Sequence, residues 1–159
     1  MSIFGFQETQ LQSLFSGFFH GPNLKKYQIF QYNMDVAIMF ASESSNVRSE
    51  VIDYLARLRA SRIDCKIIDF GGSMGSHFRP YITDIVDFNM PNIDESHNIR
   101  FHAFDLHSPE LWKQFPDNHF DFAICTHTLE DIRDPRYVVQ QISRVAKSGF
   151  IAVPNRHQE

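Results

Sequence analysis

A short apolar run that ends in an acid and then a cluster of glycines leaves a chain few folds to choose from. Here it is Lys66-Ile67-Ile68-Asp69-Phe70-Gly71-Gly72-Ser73-Met74-Gly75. Lys66 to Phe70 is β-prone and too short for a helix of its own, so it reads as a buried strand. Gly71, Gly72 and Gly75 allow positive φ and let a ligand approach bare backbone. In an open parallel sheet, a turn of this kind at the carboxyl end of a strand is where ligands bind. The plainer alternative is a tight loop that serves only to let the strand exit.

The flanking chain alternates strands with helices. Ser42 to Ser45 offers capping residues, and Val47, Val51, Ile52, Leu55 and Leu58 then line one helical face to about Arg62. Beyond the glycine turn, Pro80 comes so early that the crossover holds about one turn of helix at most. Tyr81 to Asp87 reads as the second strand, and Ile99 to Leu106 as the third. Pro109 to Phe115 is a short helix, and Phe120 to Thr126 the fourth strand. Asp134-Pro135 opens a helix whose buried stripe is Tyr137, Val138, Ile142 and Val145. Gly149 is read as its cap, and Phe150 to Val153 as the fifth strand. This is an α/β pattern: a Rossmann-like, mostly parallel sheet flanked by helices, with right-handed crossovers and a shortened first one.

Residues 1 to 42 differ in character. Six of the sixteen phenylalanines fall within the first thirty residues, and Gly17, Gly21 and Pro22 break the pattern. Leu11, Leu14, Phe15, Phe18 and Phe19 repeat at helical spacing, whereas no convincing strand is visible before residue 65. The division expected is an aromatic N-terminal segment, 1–42, packing on the domain or on a partner, and an α/β domain, 43–159, with its core at 66–156.

Three acids, Asp69, Asp87 and Asp105, stand where three successive strands are expected to end. In a parallel sheet those ends lie side by side, so the carboxylates would share a crevice. A carboxylate at the end of the second strand, facing a glycine turn at the end of the first, is placed to accept two ribose hydroxyls. Asp105 is placed to accept from an exocyclic amine of a base. Composition narrows the partners. A net charge of -4 without a dense Lys/Arg cluster speaks against nucleic acid. No run is long enough to span a membrane, and the N-terminus lacks the basic region of a signal peptide. The two cysteines, Cys65 and Cys125, fall at or within strands and read as free core thiols of a cytoplasmic protein. No histidine shares a metal-ligand spacing with either cysteine, so no metal is expected.

With these residues in view, the stretch from about Lys66 to Arg156 resembles a class I S-adenosylmethionine-dependent methyltransferase domain of the small-molecule type. Ile68 to Gly75 is similar to that family's first motif. The resemblance assigns Asp69, Gly71, Gly72, Ser73 and Gly75 to the turn under the methionine and ribose. It gives the ribose hydroxyls to Asp87, and the adenine to Asp105 with Leu106. Asp117 to Pro135 resembles the fourth-strand motif, with Thr126 near the methionine end. Arg144 to Pro154 resembles the following helix and strand. The implied cofactor is S-adenosylmethionine, the implied reaction an in-line displacement at its sulfonium methyl, and the implied acceptor a small molecule. His127, which follows the fourth strand, is the candidate general base, with Glu130 and Asp131 behind it.

The chain also departs from the family. Ser73 stands at the middle glycine of the turn, and the two strands that close such sheets as an antiparallel pair are missing after Val153. A shortened domain is therefore expected, and the aromatic N-terminus or an open sheet edge becomes a candidate homo-oligomer surface. Two rival functions follow from the same residues. One is a methyltransferase-like domain that binds without catalysing. The other is a serine hydrolase, since Gly71 to Gly75 also fits the G-x-S-x-G elbow with Ser73 at its tip. That fold needs several earlier strands and a long helix after the serine, and neither is expected here.

Overall fold

The computed structural model describes residues 27–31, 37–41, 45–73, 76–89 and 98–153. Two five-residue strands come first, β1 (Tyr27–Gln31) and β2 (Ala37–Ala41), followed by helix α1 (Ser45–Ser61). Strands β3 (Ile67–Phe70), β4 (Asp84–Asp87) and β5 (Arg100–Ala103) lead to the short helix α2 (Pro109–Lys113). Strand β6 (Phe122–Thr126), helix α3 (Pro135–Val145) and strand β7 (Ser148–Ala152) complete the described elements.

All seven strands form one sheet, ordered β1-β2-β7-β6-β3-β4-β5, in which only the β1–β2 pair is antiparallel. The mostly parallel α/β architecture is thus as expected. Side chains alternate across it. Ile68, Phe70, Val86, Ala123, Cys125 and Ile151 face α2 and α3 and pack with Leu111, Trp112, Val138, Ile142 and Val145. Ile67, Ile85, Phe122, Ile124, Phe150 and Ala152 face the other way, onto Val47, Val51 and Leu55 of α1. A sheet buried on both faces explains why its strands read as near-continuous apolar runs.

The first crossover is short, as Pro80 foretold. Between β3 and β4 there is no α-helix among the described residues. A chain of turns closed by Ser76 N–H to Ser73 O, Arg79 N–H to Ser76 O and Tyr81 N–H to Phe78 O takes its place. Those turns delay β4, which begins at Asp84 rather than Tyr81. Phe78 and Ile82 are buried in the α1-side core and do the covering that a helix would otherwise do.

Two expectations are corrected. The N-terminal region does contain strands: β2 pairs in parallel with β7, Ala37 opposite Ser148 through Ala41 opposite Ala152. The edge of β7 is therefore occupied by this chain's own β2, and the outer strands are β1 and β5. Tyr27-Gln-Ile-Phe-Gln and Ala37-Ile-Met-Phe-Ala are short apolar runs without strict alternation, which periodicity alone does not separate from helix or loop. The amphipathic helix expected near Leu11 to Phe19 lies outside the described residues. Gly149, second, does not cap α3. Ala146 occupies the cap in extended conformation, and Gly149 sits inside β7 opposite Ala123. A Cβ there would lie 2.9 Å from the Ala123 carbonyl oxygen, so the glycine serves strand packing.

Candidate functional site

The sheet reverses its winding between β3 and β6, and ligands bind outside the carboxyl ends of the strands at such a point. There the structure has an open crevice of about 380 Å³. Gly71 after β3, Val86 to Phe88 at the end of β4, and Phe104 to His107 beyond β5 form one side. His127, Thr128 and Asp131 to Arg133, from the loop between β6 and α3, form the other.

Of the residues singled out from sequence, Gly71, Asp87, Asp105, Leu106 and His127 line this crevice. Asp105 stands two residues beyond the last paired position of β5, not at the strand end. Asp69 does not line the crevice. It belongs to β3, is 1% exposed and lies directly beneath Gly72, where a Cβ would strike its carboxylate. Gly72 is buried above it, Ser73 is exposed, and Gly75 lies outside the described residues. Thr126 is the last residue of β6. Its carbonyl oxygen accepts the Thr128 hydroxyl at 3.0 Å, and it is not part of the lining.

The glycine turn is dictated from both sides. Gly71 has φ of 74°, and its N–H donates to Val86 O at 2.7 Å, tying the turn to β4. A side chain there would meet both the strained backbone and the hydroxyl and methyl of Thr128. Gly71→Ala is accordingly expected to lower unfolding free energy by about 1–3 kcal/mol. Combining it with Thr128→Ala should recover the part due to the contact and leave the part due to φ. Urea unfolding of the two single variants and the double variant measures both portions.

Electrostatics divide the buried acids into two groups. Those at the amino ends of the strands are fully engaged. Asp84 meets Arg100 at 3.0 Å, His102 at 2.9 Å and the Thr83 hydroxyl at 2.7 Å. Asp121 receives Arg62 and Lys147 at 2.8 Å each, and the Lys66 N–H at 3.1 Å. Burial works to raise both carboxyls, but these donors outweigh it and hold them below the ordinary carboxylate range. Asp69, at the carboxyl end, is different. Among the described residues it receives only the Ser76 hydroxyl, at 3.2 Å on Oδ2, and the buried Oδ1 has no partner. Burial first, and the nearby charge of Asp87 as well, push its carboxyl up to about 7 against the Ser76 bond. A buried, half-satisfied carboxyl beneath a glycine turn at the mouth of a crevice marks this end of the sheet as the candidate site.

His127 sits at the crevice with φ of 52°, a conformation that a non-glycine residue adopts only where its surroundings impose it. Its N–H donates to Ala152 O at 3.1 Å, and its ring Nδ1 lies 3.6 Å from Glu130. Sequence reasoning passed over several lining residues. Thr128 matters because it fills the space a Gly71 side chain would need, a contact fifty-seven positions apart that no local pattern encodes. Phe88 is 74% exposed beside the crevice, and only a burial map distinguishes it from a core phenylalanine. His107 carries one available signal, its position directly after Asp105-Leu106. Among the described residues no group of three His, Cys, Asp or Glu side chains is placed to hold a metal, and no helix is long and apolar enough to cross a membrane.

Residues 43–157 match the family model of a methyltransferase domain. Thiol S-methyltransferase TMT1B of Rattus norvegicus is 25% identical over 114 residues, 64% of this chain and 46% of its own length. The Mus musculus protein of the same name is 25% identical over 140 residues, 80% of this chain and 57% of its own. This chain thus spans about half the length of the curated relatives it matches. A solved S-adenosylmethionine-dependent methyltransferase of Thermotoga maritima is similar at 21% identity, with a TM-score of 0.47, over 70% of this chain and 58% of that one.

Proposed function

Because this chain belongs to the methyltransferase-domain family, we propose that it binds S-adenosylmethionine in the crevice and directs its methyl group to a small-molecule acceptor. The observation that carries the reading is the Gly71 turn, closed to any side chain, lining one crevice together with Asp87 and Asp105. The unpartnered Asp69 Oδ1 beneath that turn fits a cationic guest above it. The turn at Gly71 and Gly72 would pass under the methionine and ribose, Asp87 would accept the ribose hydroxyls, and Asp105 with Leu106 would take the adenine. Phe88 and Leu106 supply apolar surface for the base. When bound, the cofactor supplies an electrophilic methyl on a sulfonium, which leaves the protein to align a nucleophile.

Both curated relatives are named for thiol acceptors, so thiols are the first acceptor class to test. A thiol must lose its proton to attack, and its unperturbed pKa near 8.5 makes a nearby base useful. His127 takes that role, with Glu130 placed to stabilise the imidazolium. A cytoplasmic location accords with the two buried free thiols. The hydrolase alternative finds no support, since turns rather than a helix follow Ser73 among the described residues.

The test is a calorimetric titration with S-adenosylmethionine and S-adenosylhomocysteine. Binding at about micromolar strength is expected for a site of this kind. A well-folded sample that binds neither would overturn the reading. Binding without turnover on a series of small thiols would favour a non-catalytic binding module instead.

A further inference from the structure

The His107 side chain ties the Asp105 side of the crevice to the chain that follows its opposite wall. His107 Nε2 lies 3.1 Å from the backbone nitrogen of Asp134. A backbone N–H can only donate, so Nε2 is the unprotonated ring nitrogen. The ring proton is then on Nδ1, which stands 3.0 Å from Asp105 Oδ1 and donates to it. The same Oδ1 accepts the His107 backbone N–H at 2.8 Å. With Oδ1 doubly occupied, Oδ2 is the oxygen left for a ligand. The bonds from His107, backbone first and ring second, hold the Asp105 carboxyl below the ordinary carboxylate range, so it is an acceptor only. The imidazole is mostly buried, at 17% exposure, while the carboxylate it grips is 49% exposed. Asp134, in turn, accepts the Tyr137 N–H on Oδ1 and caps α3, directly after the loop that forms the opposite wall.

We propose that His107 is a positioning residue for base selection: it orients Asp105 so that the remaining carboxylate oxygen accepts the exocyclic amine of adenine and rejects a base bearing a carbonyl there. This rests on the adenosyl reading given above. Adenine presents a donor to that oxygen. Hypoxanthine presents a lone pair, which meets the carboxylate repulsively and leaves it unpaired. A carboxylate free to rotate would lose part of that discrimination, because it could turn away from the wrong base.

Two amides separate the two halves of the ring's function. His107→Asn places an amide N–H where Nδ1–H stands and cannot reach Asp134. His107→Gln reaches the Asp134 N–H but has no donor at the Nδ1 position. The measurement is the ratio of dissociation constants for S-adenosylhomocysteine and S-inosylhomocysteine, with circular dichroism as the check on folding. The parent is expected to prefer the adenosyl ligand by about a hundredfold or more. His107→Asn should keep that ratio within about threefold, whereas His107→Gln should reduce it about tenfold. A histidine that merely braced the loop would weaken both ligands together and leave the ratio unchanged. If the parent binds neither ligand, the cofactor reading fails and this proposal with it. If the parent is selective and Asp105→Asn abolishes selectivity while His107→Gln retains it, the cofactor reading stands and the role of His107 is refuted. Loss of selectivity in His107→Asn equal to that in His107→Gln would also refute it.

Discussion

Replacing Asp69 by asparagine is expected to remove a pH dependence of about 4 kcal/mol from the folding stability of this chain. The native carboxyl is pushed up to about 7 from an ordinary value of 3.8, chiefly by burial. Between those values the folded protein holds a proton that the unfolded chain has already released. Stability therefore falls as pH rises through that window, and the full cost is present above about 7. Below about 4 both states are protonated and the group contributes nothing. Asparagine keeps a carbonyl oxygen for the Ser76 hydroxyl and never ionises. Relative to the parent, the variant should gain stability steadily from about pH 4 to about pH 7 and level off above that, as read by urea unfolding at each pH. Parallel curves for the two proteins would mean that Asp69 is ionised throughout and that its Oδ1 has a partner.

The second large effect is on binding. Asp87→Ala should weaken S-adenosylmethionine by about ten- to a hundredfold, equivalent to about 1.5–3 kcal/mol, if its carboxylate accepts the ribose hydroxyls. The carboxylate already accepts the Asn89 N–H at 2.8 Å, so it is held in place before any ligand arrives. Titration calorimetry on the folded variant measures the loss, and an unchanged affinity would sink the ribose assignment. The two acids are also coupled, because the charge of Asp87 helps to raise Asp69. Asp87→Asn should therefore flatten part of the parent's pH dependence without any ligand present.

Much of this was legible in residue order. Five strands and three helices were recoverable from apolar runs, early prolines and the Asp134 cap, because each depends on neighbours a few residues away. The reasoning that strand ends in a parallel sheet lie side by side brought Asp87 to the crevice; Asp105 lines it from two residues beyond its strand, and Asp69 is buried beneath the turn instead. The limits have physical causes. β1 and β2 are not amphipathic in isolation; they are strands because β7 offers an edge more than one hundred residues later in the chain. Gly149 looked like a helix cap because a glycine after a helix usually is one. Its actual constraint is the Ala123 carbonyl on the next strand.

The local sequence, by itself, determined the alternation of strand and helix, the shortened first crossover and the glycine turn after β3, because backbone preference and periodicity act over a few residues. Only the tertiary structure decided what those features do to one another. Packing placed Thr128 against Gly71, buried Asp69 under Gly72 with one oxygen unsatisfied, and stretched His107 between Asp105 and Asp134. Dielectric environment and hydrogen-bond partners belong to the assembled fold, and they are what make three similar aspartates three different groups.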